Sequence, residues 1–368
     1  MTSPEPLRVL IAGGGTGGHL FPGIAVAREL RRQAPDAQVA FVGTARGLEA
    51  DVIPRERFAL DLIRSAGLKG KSPAHLARGL ALLPLSALDA WRVIGRRRPH
   101  VVVGLGGYSS GPMVLVAAMR GVPTLLLEQN ALPGLTNRLL ARVVDAAALT
   151  YETSVRYFGD KGFVSGNPVR SDFLARDDES GGTGDQGPIK VLVFGGSQGA
   201  HAINLAMVEA APKLAATTRD VSITIQSGAR DLELVRRAFS EAGLRGRVES
   251  FLYAMDREMR EADLLVCRAG ATTLAEVAAS GKPAVLIPFP AATDDHQRRN
   301  AEVLAAAGAA VVVEQKDLSG TRLAHEIVAL ADDPERRRRM SVAVRAFARP
   351  DAARLIVDRL LALAGRRF

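Results

Sequence analysis

The glycine-rich segment at residues 11–23, IAGGGTGGHLFPG, constrains the fold of this chain more than any other feature. Six of its residues are glycine, and glycine is entropically costly unless the backbone needs unusual dihedrals or a close approach. Residues 8–12 form an apolar, strand-like run, and residues 22–33 have apolar side chains at helical spacing. A strand, a glycine-rich turn and a helix are typical of one half of a nucleotide-binding unit.

The same arrangement occurs twice more along the chain. Residues 101–118 (VVVGLGGYSSGPMVLVAA) and residues 190–204 (KVLVFGGSQGAHAIN) each run from an apolar strand through glycines into a helix. Between these two copies, residues 175–188 are polar, glycine-rich and without periodicity. That composition is typical of a linker.

We therefore predict an α/β fold with two doubly wound, Rossmann-like parallel-sheet domains facing each other across a cleft. The predicted domains are residues 1–170 and 189–350, with 171–188 as the linker. Residues 351–368 are predicted to form a C-terminal helix that returns to the first domain. Short apolar runs predict the strands, at residues 8–12, 38–42, 59–63, 101–104, 124–128, 146–149, 190–194, 221–226, 248–251, 264–267, 284–287 and 310–313.

Composition limits the classes of function. The sequence contains no run of eighteen uninterrupted apolar residues, so we predict no transmembrane helix. The N-terminus lacks the pattern of a signal peptide. The single cysteine, Cys267, lies in an apolar run and fits a reducing compartment. The formal charge of +9 indicates an anionic partner. The basic residues are scattered and form no nucleic-acid-binding motif, so we do not predict a nucleic-acid partner.

Gly13, Gly15 and Gly18 match the G-x-G-x-x-G pattern of a dinucleotide-binding dehydrogenase. Such a site also needs an acidic residue at the end of the second strand, and here the first acid is Glu49, several residues further on. Three glycine loops also exceed what one dinucleotide needs. We therefore favour two phosphorylated substrates, each held at a helix N-terminus, with a group passing between them.

Seven segments occur in the order of a known family: GGGTGGHLFPG, GGYSSGP, LEQNALPGLTNRLL, SGNPVR, GGSQGA, CRAGATTLAEVAASGKPAVLIPFP and DDHQRRNA. Together they resemble the bacterial MurG family across essentially the whole chain. The resemblance implies the GT-B fold and transfer of N-acetylglucosamine, with inversion, from UDP-N-acetylglucosamine to the 4-hydroxyl of the N-acetylmuramoyl unit of lipid I (undecaprenyl-pyrophosphoryl-MurNAc-pentapeptide). The product is lipid II, a peptidoglycan precursor.

The resemblance also implies the donor-binding residues. Glu276 matches the ribose-binding glutamate, Leu252 lies where the backbone reads the uracil edge, and Gln297 matches a sugar-binding glutamine. The full set of donor positions is Thr16, Gly17, Gly18, Asn130, Arg170, Ser197, Leu252, Ala271, Thr272, Thr273, Glu276 and Gln297. His201 and His296 depart from the residues common in the family at their positions.

For the acceptor, the first two glycine loops are the expected place of the lipid pyrophosphate. The expected contacts are Gly14, Gly15, Gly106, Gly107, Tyr108 and Ser109. His19 is the predicted general base for the acceptor hydroxyl, because the positive end of a helix favours the neutral imidazole. The alternative is that His19 only orients the hydroxyl.

Residues 68–99 are the predicted membrane contact. Leu76, Leu80 and Leu83 lie roughly on one helical face, and Trp91 and basic residues flank them. The alternative is that these leucines belong to the core. With a polyprenyl acceptor, the expected location is peripheral, on the cytoplasmic face of the plasma membrane. Other cell-wall synthesis proteins are further expected partners.

We predict that the reaction needs no metal and no other obligatory cofactor, although Asp294 and Asp295 are adjacent acids. A helix dipole and an arginine would meet the charge on the leaving UDP. Two other functions stay open at this point. One is a different UDP-sugar enzyme, such as a glycolipid glycosyltransferase or a UDP-N-acetylglucosamine 2-epimerase; the other is a non-catalytic protein that binds anionic surfaces.

Overall fold

The chain folds into two α/β units. The structure, a computed structural model, describes residues 5–15, 17–45, 47–65, 73–173, 187–196 and 199–365. For residues 73–81, Ser171 and Thr293 only the backbone is described. The first unit comprises Met1–Arg170 and Arg349–Phe368, and the second comprises Ser171–Ala348. Most of the predicted linker lies outside the described residues.

The first unit alternates strands and helices, as its apolar periodicity predicts. Its strands are β1 (Arg8–Gly13), β2 (Gln38–Gly43), β3 (Ala59–Leu62), β4 (Val101–Gly106), β5 (Thr124–Glu128), β6 (Ala146–Leu149) and β7 (Gly162–Val164). Its helices are α1 (Gly17–Gln33), α2 (Glu49–Arg55), α3 (Pro73–Arg97), α4 (Ser110–Met119) and α5 (Leu135–Leu140), and the last helix of the chain, which also belongs to this unit, lies at Ala352–Leu363.

All seven strands form one parallel sheet in the order β3-β2-β1-β4-β5-β6-β7. The prediction of a doubly wound parallel sheet is confirmed for this unit. The short edge strand β7 was not predicted, because its three residues are only partly buried and show little apolar pattern. Helix α1 begins at Gly17 rather than near Pro22, which places His19 in its first turn.

Alternate residues of β1 explain how this sheet is covered on both faces. Val9 and Ile11 pack in a cluster with α1 and the C-terminal helix, whereas Leu10 and Ala12 pack in a cluster with α3 and α4. Each face of a parallel strand is therefore buried, as its continuous apolar sequence requires. The sheet positions the loops at its carboxyl edge, where ligands bind in such folds.

The second unit repeats this plan with one strand fewer. Its strands are β8 (Ile189–Phe194), β9 (Val221–Gln226), β10 (Gly246–Glu249), β11 (Leu264–Cys267), β12 (Ala284–Leu286) and β13 (Ala310–Val312). Its helices are α6 (His201–Ala215), α7 (Leu232–Ala242), α8 (Met255–Glu261), α9 (Ala271–Ser280), α10 (His296–Ala306), α11 (Gly320–Ala331) and α12 (Pro334–Arg345), and the C-terminal helix Ala352–Leu363 is α13.

The six strands are all parallel, in the order β10-β9-β8-β11-β12-β13. The predicted fold class is thus confirmed for the second unit as well. The prediction for β10 was displaced by two residues, since the strand starts at Gly246 and ends at Glu249. Gly246 was overlooked because a glycine breaks the apolar pattern, yet a Cβ there would lie 2.2 Å from the carbonyl oxygen of Ile223 on β9.

Candidate active site

In the first unit the winding of the sheet reverses between β1 and β4. The chain leaves β1 toward β2 on one side, whereas β4 lies on the other side and continues to β5. The loops that follow these two strands therefore diverge and leave a crevice at the carboxyl edge, where such folds bind ligands. Both loops are the predicted glycine motifs, and Gly13 pairs with Gly106 at the end of the ladder.

These glycines allow close packing between the two loops. A Cβ on Gly107 would lie 2.7 Å from the carbonyl oxygen of Gly14, and one on Gly106 would lie 3.0 Å from Cε1 of His19. Gly15 is different: apart from its chain neighbours, no atom of the described residues lies within 4 Å of its Cβ position. Among the described glycines of this loop, Gly15 therefore has open space on the side where a Cβ would lie.

The Glu49 side chain packs against the first glycine loop and links it to the loop after β2. Its carboxylate is 1% exposed and accepts hydrogen bonds from the backbone N–H of Gly15 at 2.7 Å and of Thr44 at 2.8 Å. A Cβ on Gly14 would lie 2.4 Å from the same carboxylate. Our sequence analysis considered Glu49 only as a ribose-binding acid of a dinucleotide site and did not predict this contact, in which its carboxylate accepts from the Gly15 amide.

His19 contacts a buried amide. Its Nδ1 lies 3.1 Å from Oε1 of Gln129, and Nε2 of Gln129 donates to the carbonyl oxygen of Leu105 at 3.0 Å. Gln129 follows β5, and its side chain is 2% exposed. The sequence prediction of His19 did not include Gln129, since nothing in the sequence shows that β5 ends beside the first turn of α1.

Asn130 is held by the neighbouring carboxylate of Glu128. Glu128 is buried and accepts from the backbone N–H and the side-chain amide of Asn130, at 2.9 and 3.1 Å. It also accepts from Gly134 and from Asn137, at 3.0 and 2.8 Å. These four bonds fix the loop after β5, and with it the position of the predicted donor-site asparagine.

Arg170 lies at the end of the first unit, with its guanidinium carbon 5.5 Å from the ring centroid of Phe21 on α1. Phe21 in turn lies against Gly17, where an added Cβ would be 2.8 Å from its ring. Arg170 and Gly17 therefore contact the same aromatic ring. Tyr108 is half-exposed beside this crevice and Ser109 is buried. Thr16 lies outside the described residues.

The second unit reverses its winding between β8 and β11. The loop after β8 contains Gly196, whose φ is +104° and whose Cβ position has no atom of the described residues within 4 Å beyond its chain neighbours. The loop after β11 leads into α9, which begins at Ala271 and includes Thr272 and Thr273 in its first turn. Ser197 lies outside the described residues.

Glu276 lies in the second turn of α9 and is nearly buried. Burial raises the pKa of the Cys267 thiol, and the Glu276 carboxylate raises it further, so the two groups are close. This thiol is buried and protonated, and it is not a candidate nucleophile.

Leu252 is fixed by Gln226, a residue that the sequence analysis did not single out. The N–H of Leu252 donates to Oε1 of Gln226 at 2.8 Å, and Nε2 of Gln226 donates to the carbonyl oxygen of Gly196 at 2.7 Å. The same amide therefore links the glycine loop to residue 252. The N–H of Leu252 is therefore already bound within the unit.

Arg268 fixes the loops after β12 and β13. It donates to the carbonyl oxygens of Ile287 and Pro288, at 3.1 and 3.2 Å, and to Oε1 of Gln315 at 2.7 Å. Burial lowers the pKa of Arg268 to about 10. Its guanidinium carbon also lies 5.3 Å from the ring centroid of Phe289.

Gln297 supports the same segment. Its Oε1 accepts from the backbone N–H of Phe289 at 3.0 Å. The orientation of the Gln297 side chain is thereby set, with its NH₂ group as the remaining donor for a ligand hydroxyl.

A second histidine, His201, begins α6 directly after the glycine loop of the second unit. Its Nδ1 lies 3.0 Å from both carboxylate oxygens of Asp231, and Asp231 also accepts from Asn204 at 2.8 Å. Burial alone would raise the pKa of Asp231, but the hydrogen bonds from Asn204 and His201 outweigh it and lower that pKa.

Asp294 and Asp295 both have φ of 55° in a short turn before α10. Asp295 pairs with Arg298, so this carboxylate is neutralised by an arginine. Within the described ranges, no group of three or more His, Cys, Asp or Glu side chains is placed to hold a metal ion.

The predicted membrane segment forms part of an exposed apolar surface. Leu83 and Trp91 of α3 are exposed, with Trp91 at 51%, and so are Leu115 and Met119 of α4, with Met119 at 72%. The Arg120 guanidinium carbon lies 4.6 Å from the ring centroid of Trp91 and joins the two helices. The side chains of Leu76 and Leu80 lie outside the described residues.

Fewer unpaired basic side chains flank this surface than the sequence predicts. Arg97 and Arg96 both pair with Asp61, at 2.7 and 2.5 Å, so part of their charge is neutralised within the unit. Among the helices that the structure describes, none is long and apolar enough to cross a membrane.

Both units match the two domains of one protein family. Residues 9–149 match the N-terminal domain of glycosyltransferase family 28, and residues 190–356 match its C-terminal domain. The chain is 48% identical over 363 residues to the UDP-N-acetylglucosamine–N-acetylmuramyl-(pentapeptide) pyrophosphoryl-undecaprenol N-acetylglucosamine transferase of Anaeromyxobacter sp. (strain K). That alignment covers 98% of this chain and 94% of the relative.

Solved structures agree with this result. The crystal structure of Acinetobacter baumannii MurG matches with a TM-score of 0.80 at 30% identity, covering 97% of this chain and 100% of that one. The UDP-GlcNAc 2-epimerase from Neisseria meningitidis, solved with UDP-GlcNAc bound, matches with a TM-score of 0.66 at 15% identity, over 97% and 100% of the two chains. At that identity the epimerase shares the fold alone.

Proposed function

The chain belongs to glycosyltransferase family 28, and we propose that it transfers N-acetylglucosamine from UDP-N-acetylglucosamine to undecaprenyl-pyrophosphoryl-MurNAc-pentapeptide. The 48% identity to a curated transferase of that name over nearly the full chain is the main support. The site adds a physical reason. In each unit the glycine loops lie where the winding of the sheet reverses, so each unit has a place for a phosphorylated substrate.

The second unit holds most of the donor in this proposal. Glu276 accepts hydrogen bonds from the ribose hydroxyls, the Leu252 carbonyl reads the uracil edge, and the Gln297 amide donates to the sugar. The loop at Gly196–Ser197 and the start of α9, at Ala271–Thr273, contact the remaining donor groups. Open space at Gly196 and the fixed orientation of Gln297 support these roles.

The proposed donor contacts in the first unit are Thr16, Gly17, Gly18, Asn130 and Arg170. Arg170 stabilises the charge that develops on the leaving UDP. The acceptor pyrophosphate lies against the second glycine loop, at Gly106–Ser109, and approaches the first loop at Gly14 and Gly15. The second loop is the stronger candidate, because the Gly15 amide already donates to the Glu49 carboxylate.

His19 is the general base in this mechanism. It takes the proton from the 4-hydroxyl of the acceptor while that oxygen forms a bond to the anomeric carbon of the donor sugar. The bond from this carbon to the UDP oxygen breaks, its electron pair leaves with UDP, and the configuration inverts. Because Arg170 and helix N-termini meet the charge on UDP, we propose that no obligatory metal takes part.

We further propose that the protein works at the cytoplasmic face of the plasma membrane as a peripheral protein. The apolar surface of α3 and α4, with Trp91 and Met119 exposed, is the contact with an anionic bilayer. Other cell-wall synthesis proteins are proposed partners at the same membrane.

The test is a transfer assay with purified protein, radiolabelled UDP-N-acetylglucosamine and a short-chain lipid I analogue, in the presence of EDTA. We expect labelled disaccharide-lipid that forms only with the acceptor and survives EDTA. Glu276→Ala should lose donor affinity, whereas Glu233→Ala, on the exposed surface of α7, should behave like the wild type.

Two results would contradict the proposal. Turnover of the donor without any acceptor would favour an epimerase. Loss of product in EDTA, restored by Mg²⁺, would disprove the metal-independent mechanism while leaving the transferase assignment intact.

A further inference from the structure

We propose that Gln129 is a positioning residue that sets the tautomer of His19, so that Nδ1 carries the proton and Nε2 is the basic nitrogen. This inference rests on the proposed function only where it assigns a role in catalysis. The tautomer itself follows from three groups within the first unit: the Leu105 carbonyl, the Gln129 amide and the His19 ring.

The Leu105 carbonyl determines which way the Gln129 amide faces. A carbonyl oxygen is an acceptor alone, so the group 3.0 Å from it must be the NH₂ of Gln129. The reverse orientation would bring two acceptor oxygens together in a buried place and would remove this donor from the Leu105 carbonyl, whichever tautomer His19 adopts. Since Gln129 is 2% exposed, water does not compensate for this loss.

With the NH₂ group facing Leu105, the amide oxygen of Gln129 faces the histidine. Oε1 lies 3.1 Å from Nδ1 of His19, and an amide oxygen only accepts. Nδ1 must therefore carry the proton, and in the neutral ring the lone pair is then on Nε2. Gly106 leaves room for this ring position, because a Cβ there would lie 3.1 Å from Nδ1.

The neutral partner also matters for the chemistry. A carboxylate in this place would stabilise the imidazolium, whereas an amide orients the ring without favouring its charged form. A general base must begin neutral, with its lone pair on the nitrogen that meets the substrate proton. Gln129 thus orients the ring of His19 and defines which of its nitrogens acts.

The decisive measurement is the ¹⁵N spectrum of the full-length protein labelled at histidine. Subtracting the spectrum of His19→Ala assigns the His19 signals among the six histidines. In the wild type we expect the neutral ring to show a protonated Nδ1 and an unprotonated Nε2. A protonated Nε2 would overturn the proposal, and this test needs no variant of Gln129 to fold.

The second measurement uses Gln129→Met, which has similar size but no amide. We expect His19 to move toward the Nε2–H tautomer and kcat to fall about 100-fold, with KM for both substrates nearly unchanged. Gln226→Met is the matched control, because it removes an equally buried amide in the other unit and should leave the His19 tautomer as it is.

An unchanged tautomer in Gln129→Met, or a changed tautomer with unchanged kcat, would contradict the role of Gln129. The proposed function fails separately. If the wild type transfers no sugar to the acceptor, the transferase assignment is wrong, while the tautomer result stands on its own.

Discussion

Each unit places a histidine in the first turn of the helix that follows its first glycine loop, but the two histidines have different partners. His19 on α1 contacts the neutral amide of Gln129, whereas His201 on α6 contacts the carboxylate of Asp231. An amide orients an imidazole without favouring its charge, and a carboxylate stabilises the imidazolium. In the proposed mechanism His19 is the base, whereas His201 forms a hydrogen-bonded pair with Asp231 and takes no part in proton transfer.

The partners of the glycine loops also differ between the units, but here the carboxylate lies in the first unit and the amide in the second. In the first unit the Gly15 amide donates to the buried carboxylate of Glu49, while in the second unit Gly196 accepts from the neutral amide of Gln226. A buried negative charge repels a diphosphate, and a neutral amide does not. Similar glycine loops therefore have different electrostatic environments. This difference supports the proposed placement of the nucleotide diphosphate in the second unit, and of the acceptor pyrophosphate at Gly106–Ser109 rather than at the Gly15 amide that donates to Glu49.

The strongest test of the comparison replaces each histidine in turn. For His19→Ala we expect kcat to fall at least about 100-fold, because the general base is lost. For His201→Ala we expect a change of about 3-fold at most, mainly in KM for the donor, because this residue lies at a helix end beside the donor loop and has no role in the proposed proton transfer. Steady-state kinetics with both substrates varied would measure this. Equal losses of kcat in both variants would contradict the assignment of the base.

Glu49→Gln tests the role of the buried carboxylate. A glutamine presents one oxygen, so it can accept from Gly15 or from Thr44 but leaves the other N–H facing an NH₂ group. We expect the free energy of unfolding to fall by about 1–3 kcal/mol, measured by urea denaturation.

The control for Glu49→Gln is Glu233→Gln, whose side chain is 83% exposed and which should change stability by less than about 0.5 kcal/mol. If Glu49→Gln proved as stable as the wild type, the carboxylate would not hold the loop.

Asp231→Asn tests the pair in the second unit through pH. The pKa of Asp231 is lowered in the folded chain from an ordinary value of 3.8, because hydrogen bonds from Asn204 and His201 exceed the effect of burial. A lowered pKa means that the ionised carboxylate stabilises the fold above about pH 4, and this contribution is lost as the pH falls through the folded-state value.

We therefore expect the wild type to be more stable than Asp231→Asn at pH 6, and the difference to shrink below pH 4. Urea midpoints of both proteins between pH 3 and 6 would measure it. A difference that stayed constant across this range would show that the pair does not contribute through its charge.

The smallest expected effect concerns the exposed apolar surface of the first unit. Trp91→Ala together with Met119→Ser should weaken binding to anionic phospholipid vesicles several-fold, because both side chains are exposed on α3 and α4. Leu205→Ser is the matched control, since Leu205 is exposed on α6 of the second unit. Vesicle co-sedimentation measures the binding. Equal effects of the two changes would contradict a membrane contact specific to the first unit.

The fold could be predicted from local patterns because parallel strands, buried on both faces, have continuous apolar sequences. Twelve strands were expected near their true positions, and the exceptions have local causes. Strand β7 is partly exposed, and β10 begins with a glycine. The start of α1 was misplaced because Gly17 and Gly18 have low helix propensity, although they form its first turn.

The partners of the site residues could not be predicted in this way. Glu49, Gln129 and Gln226 each meet their partners through the sheet order, and that order is a property of the tertiary structure. Gln129 lies 110 positions from His19 in the sequence. No local pattern relates residues so far apart.

The sequence by itself determined the two parallel-sheet units, the glycine loops and the family, because all three depend on local residue order. The tertiary structure decided which neighbour each functional group has. Hydrogen bonds form only between groups that lie a few ångströms apart in space. The amide beside His19 and the carboxylate beside Gly15 therefore depend on strands that meet only after folding.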